Sequence, residues 1–262
     1  KAMEYGGDAT LKAIGGSSAG IIINNRPMVS NLFRTVGEEF QEQIKNIFID
    51  IAHEYNVPIV VKNEGDVAAL AAARILNKNN VLAIALGSSE AGGYINSNLG
   101  FNKNWLNELA FVPIDYSPNA VLEEWSLDKG CGASYLSQQC IFRLAKKYNF
   151  LAPDNLMDAH KLEFYQNKLE NGDQLTMDLW QSMGCYLGYA IAHYANFYDI
   201  SDVMILGRCA SFKGGEILKQ VSEDVLATEF KNYRGKSIHV HLPDERFRRI
   251  GQAQTSASIS II

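Results

Sequence analysis

Residues 58–95, PIVVKNEGDVAALAAARILNKNNVLAIALGSSEAGGYI, decide how the rest of this chain is read. A β-branched apolar run (58–61) stops at a polar, acidic corner, Lys62-Asn63-Glu64-Gly65-Asp66, which opens an alanine-rich helix over 67–76. A second apolar run (81–86) ends on Gly87-Ser88-Ser89 and re-emerges through Gly92-Gly93 into a further strand. Carboxylates at a strand end are suited to orienting a hydroxyl. A glycine turn lets backbone N–H groups approach a phosphate.

At 262 residues the chain is long enough for one large α/β domain or two smaller lobes. Its 47% apolar and 20% charged residues are those of an ordinary globular protein. No window approaches the roughly 18–20 consecutive apolar residues of a membrane span, and no basic segment followed by an apolar one opens the chain, so a cytoplasmic protein is expected. The formal charge of −5 disfavours a general nucleic-acid binder, and Arg246, Arg248 and Arg249 are too short a basic cluster to reverse that. Cys131, Cys140, Cys185 and Cys209 lack C-x-x-C spacing and read as reduced structural thiols.

Upstream of the decisive stretch, residues 11–23 read as a strand, a Gly/Ser turn at 15–20 and a β-branched strand at 21–23. Apolar residues at 36, 40, 44, 47, 48, 51 and 55 predict an amphipathic helix whose stripe is core. Downstream, a helix is predicted over 132–148, while 150–171 is the least periodic and most loop-like segment. Asp154, His160 and Glu163 there match no metal spacing. The clearest helix, 174–198, leads to a strand at 203–206 and then Gly207-Arg208-Cys209-Ala210. A helix over 215–233, a short strand over 237–242 with His239 and His241 as ordinary strand residues, and a small-residue helix or coil over 251–262 complete the chain. The segments IGGSSAGIII from Ile14 and LGSSEAGGYI from Leu86 look alike, but no longer repeat is present.

In this order the signals resemble the ROK family of repressors and sugar kinases, which has the α/β, actin/hexokinase-like (ribonuclease H-like) fold. Residues 58–70 are similar to the family's Asn-Asp corner, 85–95 to its phosphate turn, 107–115 to its Gly-Glu-x-Gly-His segment, and 187–210 to the helix and strand that approach the adenosine. The resemblance implies two lobes of mixed sheet flanked by helices, with an incomplete N-terminal lobe in residues 1–80 and a C-terminal lobe in 81–262. It implies a kinase that transfers the γ-phosphoryl of ATP, with Mg2+, to a hexose or N-acetylhexosamine. The alternative it leaves is a catalytically impaired, sugar-binding sensor or regulatory protein of the same fold. Carried over position by position, Glu64 stands for the catalytic base and Asn63, Glu108 and Glu123 for sugar contacts. Gly87, Ser88, Gly92, Gly93 and Gly207 stand for nucleotide and phosphate contacts. A homodimer is expected, with no nucleic-acid or membrane contact through this chain, no metal ligands and no structural zinc.

Several positions depart from the family pattern. Glu64 replaces an aspartate and so carries its carboxylate on a longer arm, and Asp66 is read as a helix N-cap. Glu90 places an acid in an anion-binding turn, where it is expected to repel phosphate. Phe111 replaces a histidine, the zinc-binding cysteine cluster is absent, and Arg208 replaces the second glycine of the adenosine strand. The family's opening Asp-Gly-Gly-Thr turn, which holds the phosphates and positions Mg2+, has no counterpart before Leu11, where Gly6-Gly7-Asp8-Ala9-Thr10 has the letters in another order. The expectation is either a piece of a longer protein or a loss of that motif.

Overall fold

A computed structural model describes residues 10–29, 33, 35–101, 106–124, 126–230, 237–244, 247 and 251–260. In chain order, β1 (Ile14–Ser18), β2 (Ile21–Ile23) and β3 (Arg26–Val29) precede α1 (Gln41–Tyr55) and β4 (Ile59–Asn63). Then come α2 (Glu64–Leu76), β5 (Val81–Leu86) and β6 (Glu90–Ile95). Further along, α3 (Gly132–Tyr135), α4 (Gln138–Lys147), α5 (Asp158–Glu170) and α6 (Gln174–Tyr194) lead to β7 (Asp202–Leu206), α7 (Phe212–Glu229), β8 (His239–His241) and α8 (Gln252–Ile259). β1 pairs in parallel with β4, β2 pairs antiparallel with β3, and the larger sheet has the order β6-β5-β7-β8. In that sheet only the β5–β6 pair is antiparallel.

The larger sheet is buried on both faces, which is why β5 reads as an unbroken apolar run. Leu82, Ile84 and Leu86 face the main core built with α4, α5, α6 and α7. Val81 and Ala83 face α2, whose buried alanines let its axis approach the sheet closely. Among the described residues no helix is long and apolar enough to cross a membrane.

Several elements differ from the sequence reading. The residues expected to form a turn at 15–20 instead make most of β1, in register with Ile59 to Asn63 of β4. Glycine is needed at Gly15 because α8 crosses it: a Cβ there would stand 1.8 Å from the carbonyl oxygen of Ser256. The likeness between the two Gly/Ser segments therefore does not extend to shape, since β5 and β6 pair as a hairpin whereas β1 and β2 do not pair with each other. The stripe of α1 is only partly core. Phe48 packs against Ala52, Ile59 and Val61, while Phe40, Ile47 and Tyr55 are exposed.

The helix expected over 132–148 is broken at Leu136-Ser137, where the Ser137 hydroxyl accepts from the backbone N–H of Gln139 and starts α4 anew. The segment expected to be loop contains α5, whose Leu162, Tyr165 and Leu169 are buried. Tyr165 then orders the preceding loop, its hydroxyl donating to the Phe150 carbonyl at 2.8 Å and accepting from the Ala152 N–H at 2.9 Å. His241 contacts Asp202 at 2.7 Å, beside Lys78 at 2.6 Å from the same oxygen. At the far end of the chain, α8 packs on β1 and α2, returning to the part of the molecule formed by the first residues. Residues 6–9, Arg246, Arg248 and Arg249 lie outside the described residues.

Candidate active site

Helix α2 begins at Glu64 rather than at 67, because Asn63 caps it. The Asn63 Oδ1 accepts from the Gly65 N–H at 2.7 Å, satisfying one of the open donors of the first turn. Its Nδ2 donates to the Gly20 carbonyl at 2.8 Å, which ties the corner to the turn between β1 and β2. The amide expected to contact a sugar thus spends one N–H and one lone pair on the protein's own backbone and keeps a second of each. The cap expected at Asp66 is supplied by Asn63 instead. Asp66 accepts from Asn107 Nδ2 at 2.8 Å, and Asn107 Oδ1 accepts from Tyr198 Oη at 3.0 Å.

Gly92 and Gly93 do not line an open cleft; they are buried in β6. On one face, a Cβ at Gly93 would stand 2.0 Å from the carbonyl oxygen of Gly65, so the first turn of α2 rests directly on the strand. On the other face, a Cβ at Gly92 would stand 2.4 Å from Leu109 Cδ1, so the segment carrying Glu108 rests there. The two glycines thereby bring Glu64, Asp66 and Glu108 together from distant parts of the chain. Burial lifts the Glu64 carboxyl above the usual glutamate range, and the charges of Glu108 and Asp66 add to the rise. Burial, then Asp66, raises Glu108 in the same way. Burial also raises Asp66, against the opposing effects of Asn107 and Lys62. Glu64 Oε2 is buried without a hydrogen-bond partner among the described residues.

Glu123 is tied into a turn of its own. Its carboxylate accepts from the Ser126 N–H and its own N–H donates to the Asp128 carbonyl, and its charge acts on Cys131. Glu64 forms one wall of a cleft of about 670 Å3. The turn Gly87, Ser88 and Ser89 forms a second, and Gly207, Arg208 and Ser211 at the end of β7 form a third. Phe247 and Gln252 close the side nearest α8. Gly207 has a φ of +86°, a conformation that favours glycine. A Cβ there would stand 2.5 Å from the Leu86 carbonyl oxygen. Sequence reasoning missed Ser211, Phe247 and Gln252, which no local motif marks, and treated Arg208 only as a departure.

Glu90 does not act as a fixed negative charge beside the turn. It is 4% exposed, Oε1 accepts from Tyr194 Oη at 3.0 Å, and Oε2 is buried without a partner among the described residues. Burial lifts its carboxyl to about 8, against the opposing hydrogen bond from Tyr194. It is therefore mostly protonated at neutral pH, and the repulsion of phosphate expected from the sequence does not arise.

Glu90 also makes stability depend on pH. Between the ordinary value of 4.5 and about 8 the folded chain keeps a proton that the unfolded chain has released, so stability falls as pH rises through that window. Glu90→Gln is expected to flatten this dependence. In thermal unfolding it should gain roughly 2–4 kcal/mol over the parent at pH 8, several degrees in Tm, and little at pH 4.5. An equal shift at both pH values would refute the assignment.

No protein-family model matches the chain, and no curated protein sequence does. Solved structures match its fold. A ROK family glucokinase from Streptomyces griseus, in complex with glucose and AMPPNP, aligns with a TM-score of 0.68 at 17% identity, over 96% of this chain and 82% of that one. A ROK hexokinase from Thermus thermophilus aligns with a TM-score of 0.67 at 17% identity, over 95% and 78%. A ROK family transcriptional regulator, described as a homolog of the E. coli MLC protein, aligns with a TM-score of 0.69 at 17% identity, over 94% and 61%. At these identities the likeness is one of fold. The chain has the actin/hexokinase-like α/β fold of the ROK structures, the fold its sequence motifs resemble.

Proposed function

We propose that this chain is a ROK-type, sugar kinase-like protein that transfers the γ-phosphoryl of Mg-ATP to a hydroxyl of a hexose or N-acetylhexosamine. The observation that carries the reading is that Glu64, whose Oε2 has no partner among the described residues, and the Gly87-Ser88-Ser89 turn line one cleft. Glu64 accepts the proton of the sugar hydroxyl, the freed oxygen forms its bond to the γ-phosphorus, and the bond to the β-phosphate oxygen breaks to release ADP. Desolvation and two neighbouring acids make Glu64 a stronger base once ionised. Glu108 receives sugar hydroxyls, while Gly87, Ser88 and Gly207 let backbone approach the phosphates. Asn63, Gly92 and Gly93 hold the framework, and Glu123 braces the turn at 123–128.

Mg2+ is commonly held by one or two carboxylates, water and substrate phosphates. In this reading Mg2+ arrives with the incoming nucleotide, held mainly by its phosphates and water. In this reading the residues up to about 80 form one lobe together with α8, the remainder forms the other, and the protein works as a cytoplasmic homodimer. The glucose and AMPPNP bound by the glucokinase of the same fold support a sugar and a nucleotide sharing the cleft.

A second reading is a sugar-binding sensor without turnover. It is favoured by the contrast between the well-connected Asp66-Asn107-Tyr198 chain beside Glu108 and the longer arm of Glu64. Calorimetry with a panel of hexoses and aminosugars, with and without Mg-ATP, followed by an ADP-release assay, separates the two. Turnover supports the kinase; sugar binding without turnover sinks it. In the kinase case kcat/KM is expected to rise with pH along an acid limb lying above the ordinary glutamate value of 4.5. A limb at or below that value would remove Glu64 as the base.

A further inference from the structure

Arg208 is the only cationic side chain among the described residues that line the cleft, whose Glu64 is acidic. A diphosphate brought beside that carboxylate needs a compensating positive charge. The local geometry places one there. β5 and β7 run in parallel, with Ala85 opposite Leu206, so Gly87 and Arg208 emerge at neighbouring strand ends. The Arg208 carbonyl accepts from Gln166 Nε2 at 2.7 Å, which fixes its backbone. Its Nη2 donates to Gln138 Oε1 at 3.1 Å. Gln138 is 3% exposed, and its own N–H donates to the Gly87 carbonyl at 2.9 Å. One buried glutamine therefore holds both the glycine turn and the guanidinium.

We infer that Arg208 is the phosphate-recognition residue of the cleft, contacting the diphosphate portion of a nucleotide while Gln138 positions it from behind. This rests on the kinase-like reading above. A guanidinium carries five N–H donors in a planar fork suited to two phosphate oxygens, and the bond to Gln138 uses one of them. The substitution that breaks the family's paired glycines is on this account a gain of charge at the place where the nucleotide is most negative.

The test is calorimetric titration of the full chain with ADP, tripolyphosphate and adenosine, in the parent, Arg208→Gln and Arg208→Lys. Arg208→Gln is expected to weaken ADP and tripolyphosphate by at least about tenfold and adenosine by less than about twofold. Arg208→Lys recovers part of the loss, because it restores the charge without the fork. The ADP affinity of Arg208→Gln is also expected to depend less on salt than that of the parent. If the parent and Arg208→Gln bind ADP alike, or if ADP and adenosine weaken equally, the assignment of Arg208 is overturned and the kinase-like reading stands. If the parent binds neither ADP nor tripolyphosphate, both are overturned. Arg208→Lys provides the comparison should Arg208→Gln not fold.

Discussion

Glu64→Gln is expected to lower phosphoryl transfer by about 10²–10⁴-fold, the usual worth of a positioned general base. Sugar affinity should stay within a few-fold of the parent, because the amide has nearly the same shape and the neighbouring Glu108 is unchanged. The acid limb of the pH profile should disappear with the carboxylate that causes it. Glu64→Asp moves the carboxylate back by one methylene and keeps the base, so it is expected to retain far more activity than the amide. Single-turnover ADP release, read beside sugar calorimetry, checks both variants. Turnover that survives Glu64→Gln would remove the base from this position, and Asp66 and Glu108 are the carboxylates near enough to be tested next.

Gly93→Ala is expected to be among the most damaging single-methyl additions in the chain. The new Cβ would stand 2.0 Å from the Gly65 carbonyl oxygen and 2.2 Å from its carbon, so the relief has to come from backbone. Moving α2 off β6 disturbs the tight alanine packing behind it, and overpacking of this kind costs about 1–3 kcal/mol or more. It also shifts Glu64, so activity should fall by more than the loss of folded protein explains, since small misplacements of reacting groups are costly. Gly100→Ala is the control, because its Cβ would meet nothing nearer than 3.6 Å. Denaturant unfolding and ADP release at matched folded fraction measure the two effects. A Gly93→Ala protein as stable as Gly100→Ala would mean that the helix and strand do not touch as described.

Much of the framework was legible because it rests on local pattern. The β-branched run of β4, the apolar run of β5 and the stripe of α6 are periodicities that neighbouring residues alone express. The corner at Asn63-Glu64 was legible for the same reason, since a strand end, a capping side chain and a helix start follow one another. α5 was not, because its three buried residues are diluted by polar ones and owe their burial to the helices it packs against. β1 was misread for the opposite reason: glycine and serine suit turns, but here they form a strand that α8 crosses too closely for a side chain.

For the site, the local sequence determined that an acidic corner opens a helix and that a glycine turn follows the next strand, because both depend on residues in direct succession. Only the tertiary structure decided what those features do. It buries Gly92 and Gly93 as contact surfaces for Leu109 and the first turn of α2, and it ties Glu123 into its own turn. It turns Glu90 into a carboxyl that holds its proton at neutral pH, since burial is set by the packing of α3 and α6 around it. Arg208 becomes a candidate phosphate contact for a similar reason, as Gln138 and Gln166 reach it from 70 and 42 residues away. Charge state and reach depend on which distant segments close around a side chain, and the strand-to-helix corner at Glu64 acquires its chemistry from those neighbours.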